Sequence, residues 1–68
     1  MANAVLKVEG MSCNHCVHSI EGALNKLPGV EWVKVSLAEK DVTVEFKDAE
    51  VTLTKIKNTI EEQGYDVL

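Results

Sequence analysis

Apolar residues recur along this chain with two different periods, and each change of period marks an element boundary. From Ala4 to Glu9 the pattern alternates, with Leu6 and Val8 on one side, the period of a half-buried strand. Gly10 interrupts it. From about Asn14 the apolar positions are Cys16, Val17, Ile20, Ala23, Leu24 and Leu27, spacings that share one face of a helix. Pro28-Gly29 ends that helix, because glycine accepts the positive φ that a helix C-terminus favours.

Alternation returns from Val30 to Leu37, with Val33, Val35 and Leu37 on one side and Trp32, Lys34 and Ser36 on the other. Glu39-Lys40-Asp41 forms a polar turn. From Asp41 to Lys47 the chain alternates again, Val42, Val44 and Phe46 inward and Thr43, Glu45 and Lys47 outward. Two strands joined by so short a turn make an antiparallel hairpin. Thr52 suits the N-cap of a second helix whose stripe is Leu53, Ile56 and Ile60; Gly64 ends it, and Tyr65 to Leu68 supplies a short last strand. The order β-α-β-β-α-β predicts an α+β, ferredoxin-like sandwich, a four-stranded antiparallel sheet with two helices on one face and solvent on the other.

Length and composition are compatible with that plan. A chain of 68 residues makes one domain, residues 1–68. A domain of this size buries only about 60% of its unfolded surface. With 46% hydrophobic and 26% charged residues, one Pro and four Gly, it has the makeup of a globular protein that folds unaided.

The formal charge of −4, with no Lys- or Arg-rich segment, argues against nucleic acid, whose binding is driven by phosphate neutralisation. It also argues against anionic membrane surfaces. No run reaches the roughly 18 apolar residues of a transmembrane helix, and Met1-Ala2-Asn3-Ala4 lacks the charged and apolar regions of a secretory signal. The expectation is a cytoplasmic protein, in which a lone Cys pair points to metal binding or catalysis rather than a structural disulfide.

The chemistry concentrates in Gly10-Met11-Ser12-Cys13-Asn14-His15-Cys16, which holds both cysteines of the chain. Cys13 falls in the loop after the first strand and Cys16 in the first turn of the first helix. Unpaired N–H groups and the positive end of the helix dipole stabilise thiolate there, lowering a Cys below its ordinary pKa of about 8.5. Soft thiolates favour Cu(I), Zn and iron–sulfur clusters. A structural zinc site usually takes four ligands, and the two Cys with His15 and His18 are packed too closely in sequence to wrap a tetrahedron round one ion. Iron–sulfur clusters fail on the same count. Cu(I) is content with two thiolates and fits best. Haem attachment would need His directly after Cys16, where Val17 stands. A dithiol redox protein is the enzymatic rival. Against it, the chain is short for a thioredoxin-like fold and its one proline, Pro28, ends a helix instead of flanking the pair.

The same residues carry a family resemblance. Gly10-Met11-Ser12-Cys13-Asn14-His15-Cys16 resembles the metal-binding loop of heavy-metal-associated domains, Gly-Met-x-Cys-x-x-Cys. Gly64-Tyr65-Asp66-Val67 is similar to the ending of the small bacterial copper chaperones within that family, and Pro28-Gly29-Val30 with Val33, Val35 and Leu37 matches too. The resemblance spans nearly the whole chain, and the loop motif is specific in this βαββαβ setting. It implies one such domain over residues 1–68, no enzymatic activity, and Cu(I) held by Cys13 and Cys16. It also implies transfer by thiolate exchange to the metal-binding domains of a copper-transporting P-type ATPase. Separately, an exposed dithiolate can share Cu(I) with another copy, which predicts a copper-bridged homodimer. An isolated N-terminal domain of such an ATPase, or a carrier of Zn, Cd, Ag or Hg, would share the resemblance. Zinc and cadmium domains of the family often place an acidic residue beside the first Cys, where this chain has the neutral Ser12. Mercury carriers are typically exported.

Around the two thiols, the residues with a possible supporting role are Met11, Ser12, His15 and Tyr65. Met11 could be a third ligand; core filling is the commoner use of Met and matches the residue packed under the loop in the resembled family. His15, between the thiols, is awkwardly placed to bind the same ion and reads as exposed; His18 reads as a helix-surface residue. Tyr65 follows the glycine that ends the second helix, in a stretch that the resemblance brings close to the loop. It either shields the ion or simply packs its ring. Trp32 points away from the core, as an ordinary sheet residue or a partner contact. Glu61, Glu62 and Asp66 form an acidic cluster that is either a solvated face or a docking surface for a basic partner.

Overall fold

A computed structural model describes residues 2–11 and 14–68. Its elements are β1 (Ala2–Glu9), α1 (Asn14–Asn25), β2 (Val30–Ser36), β3 (Asp41–Phe46), α2 (Leu53–Glu62) and β4 (Asp66–Val67). The described strands form a four-stranded sheet in the order β2-β3-β1-β4, with every pairing antiparallel. The βαββαβ order and the antiparallel sheet are as the two periodicities predict.

The core follows from the alternation. Leu6 and Val8 of β1 and Val42, Val44 and Phe46 of β3 are buried on the helix side of the sheet, facing Ile20 and Leu24 of α1 and Ile56 and Ile60 of α2. Burying a side chain of this kind contributes roughly 1.5–3 kcal/mol, so these few residues carry most of the fold's stabilisation. Val33 and Val35 of β2 pack at the margin of this cluster. Trp32 and Val5 lie exposed on the other face of the sheet.

Local chemistry sets the element ends. The Thr52 side chain accepts a hydrogen bond from the Lys55 N–H at 3.1 Å, with extended φ −99° and ψ 157°, which makes it the N-cap of α2. Thr59 is buried, yet its hydroxyl donates to the Lys55 carbonyl at 2.8 Å, so no polar group is orphaned. The β2–β3 turn passes through Lys40 at φ 56°, in the left-handed region. Lys7 fastens that turn to β1, donating from Nζ to the Glu39 carbonyl at 3.2 Å and lying 3.7 Å from the Asp41 carboxylate.

Several details differ from the pattern: β2 stops at Ser36, so Leu37 falls in the turn and not on the core side of the strand, and the last strand is only Asp66–Val67 instead of Tyr65 to Leu68. β1 begins at Ala2, not Ala4, because β3 is long enough to pair Ala2 with Phe46. α1 stops at Asn25, before Leu27; the Leu27 N–H bonds back to the Leu24 carbonyl at 3.0 Å, a tightened last turn that brings the chain round to Pro28. β2 carries a bulge between Val30 and Trp32: Val30 pairs with Phe46 and Trp32 with Glu45, so Glu31 is an extra residue. Strict alternation would put Val30 and Trp32 on one side; the bulge instead lets Val30 pack against the core while Trp32 faces out.

No helix among the described residues is long and apolar enough to cross a membrane.

Two glycines test this account in opposite directions. Gly22 sits inside α1 with open space where a Cβ would go, so Gly22→Ala should stabilise the fold by about 0.5–1 kcal/mol. Gly29 has φ +95°, and a Cβ there would lie 2.8 Å from Glu50 Cβ and 3.1 Å from Val51 Cγ1. Gly29→Ala should therefore destabilise, by at least about 1–2 kcal/mol. Urea unfolding of both variants checks the pair of signs.

Candidate metal centre

The loop between β1 and α1 is held at both ends. On the strand side, Val8 is buried, and its N–H donates to the Lys40 carbonyl at 2.9 Å. Val8 and Glu9 also pair with Val67 and Asp66 of β4. Gly10 then leaves the sheet at φ +99°, a conformation in which a side chain costs roughly 1–2 kcal/mol. Met11 is half-buried and packs against the core. That position turns its side chain toward the hydrophobic cluster, the use expected of a flexible gap-filling residue.

On the helix side, α1 opens at Asn14 and places Cys16, half-buried, in its first turn. The first turn carries no acidic side chain. Backbone N–H groups there lack intrahelical acceptors and the helix dipole is positive. Among the described residues of that turn, Cys16 is the side chain that can answer this potential with negative charge. His15 and His18 are both exposed; His18 Nδ1 lies 3.8 Å from Glu21 Oε1, one helical turn further on, an exposed pair of small energetic weight. Ser12 and Cys13, both predicted to belong to the site, lie outside the described residues. Among the described residues no three His, Cys, Asp or Glu side chains gather as a metal-holding group.

Tyr65 comes to the loop from the far end of the chain. α2 ends at Glu62, the Gly64 N–H bonds to the Glu61 carbonyl at 2.9 Å, and the turn delivers Tyr65 just before β4. Tyr65 is half-buried against the core, and a Cβ on Gly10 would lie 3.4 Å from its Cδ1. Gly10 thus serves twice: it supplies the positive φ and leaves room for the Tyr65 ring. In sequence Gly10 reads as the break after a strand and the start of the loop motif; the geometry that sets it beside the Tyr65 ring comes from the β1–β4 pairing.

The loop end of the molecule is acidic at a cost. Glu9 and Asp66 stand directly opposite each other on β1 and β4, a like-charge cross-strand pair that is destabilising by itself. Glu61 and Glu62 occupy the last turn of α2, which has no basic residue, and so oppose the helix dipole.

Cys16 thus stands in the first turn of α1, Gly10 leaves β1 at positive φ, and the Tyr65 ring, just before β4, packs beside Gly10. The chain belongs to the heavy-metal-associated domain family, whose model matches residues 5–66. It is 52% identical over 67 residues to the copper chaperone CopZ of Staphylococcus epidermidis, covering 98% of both chains. Among solved structures it superposes on a CopZ metallochaperone with a TM-score of 0.97 at 43% identity, covering 98% of this chain and 100% of that one. It also resembles the N-terminal domain of a potential copper-translocating P-type ATPase from Bacillus subtilis in the Cu(I)-loaded state. That match has a TM-score of 0.92 at 35% identity, over 96% of this chain and 81% of that one.

Gly10→Ala should lower stability by about 1–2 kcal/mol through backbone strain. For a domain of this size that is a fall of roughly 4–16 °C in Tm. Calorimetry of the metal-free protein checks it; an unchanged Tm would mean that the loop relaxes without the positive φ.

Proposed function

We propose that this chain is a copper chaperone that carries Cu(I) as cargo on the thiolates of Cys13 and Cys16 and passes it to the metal-binding domains of a copper-transporting P-type ATPase. The observation that carries the reading is the end-to-end match to a copper chaperone, at 52% identity over 98% of both chains. Two soft thiolates satisfy a low-coordinate monovalent ion, and the neutral Ser12 beside Cys13 offers no hard carboxylate to recruit Zn(II). The protein is a carrier, not an enzyme. It works in the cytoplasm, where reducing conditions keep the pair as thiols.

Delivery follows from low coordination. An acceptor thiolate adds to Cu(I), giving a three-coordinate bridge; one Cys–copper bond then breaks, a second acceptor sulfur binds, and the last bond to the chaperone is released. Copper stays Cu(I) throughout, so no electron donor is needed. The B. subtilis ATPase domain holds Cu(I) on the same fold. Donor and acceptor built alike exchange the ion on a shallow free-energy gradient, so transfer is reversible until transport removes the product. The carboxylates Glu9, Asp66, Glu61 and Glu62 surround this end of the molecule and suit an acceptor whose docking surface is basic. Tyr65, beside Gly10, shields the bound ion from water, and Met11, packed toward the core, supports the loop without ligating.

Replacing either cysteine should stop transfer while leaving the fold in place, since Cys16 lies outside the buried core. Stopped-flow transfer from Cys13→Ser and Cys16→Ser proteins to an ATPase metal-binding domain checks this, with circular dichroism as the fold control. A Cys13→Ser protein delivering copper at the parent rate would contradict the mechanism. A dithiolate can also share its ion with a second copy, so sedimentation at rising Cu(I) should show copper-linked dimers. A strict monomer at every loading would remove that association from the account.

A further inference from the structure

We draw no further inference here: the strongest candidate, the open face of the sheet on which Val5 and Trp32 are exposed, carries nothing because no feature of the described residues shows what covers it.

Discussion

The loop of this protein depends on how β1 is held. β1 is an inner strand, paired with β3 from Ala2 to Lys7 and with β4 at Val8 and Glu9. Its last inward side chain, Val8, is fully buried. A strand gripped on both edges and from below has little freedom at its end, so Gly10 departs from a fixed point. The opposite end of the loop is fixed by α1, whose Ile20 and Leu24 are buried in the same core. Packing therefore sets the distance between the two ends of this connection.

The C-terminal segment completes this arrangement at small cost in residues. β4 is only two residues long, extended by a bond from the Leu68 N–H to the Lys7 carbonyl at 2.9 Å. Its contribution is to lay Tyr65 beside Gly10 and Asp66 beside Glu9. The first contact closes the loop from one side; the second concentrates negative charge around it. A fold selected for stability alone would not place two carboxylates opposite each other there, nor two more at the negative end of α2.

Much of this could be read from the residues. Alternation at Val33-Val35 and Val42-Val44-Phe46, and the stripe Leu53-Ile56-Ile60, reported the core face of each element because burial is what imposes the period. Thr52 announced its cap because a side-chain oxygen before an apolar stripe has one obvious use. The Cys-x-x-Cys spacing pointed to soft-metal chemistry; of the pair, Cys16 stands in the first turn of α1 as expected, and Cys13 lies outside the described residues. What stayed hidden was set by partners distant in sequence. The bulge at Glu31 arises from the register of β2 on β3. Val51 is buried by closing against Gly29, 22 residues earlier, though no period includes it. The nearness of Tyr65 to Gly10 followed from family resemblance, and its geometry needed the β1–β4 pairing.

As a copper carrier, this protein should hold Cu(I) in preference to harder ions. The most direct measurement is an anaerobic titration of the reduced protein with Cu(I) against a chromophoric chelator, repeated with Zn(II) in excess. Tight one-to-one capture of Cu(I) that excess Zn(II) does not displace is the expected result. Weak capture, or loss of copper to Zn(II), would contradict it and assign the dithiol to another metal or to redox chemistry.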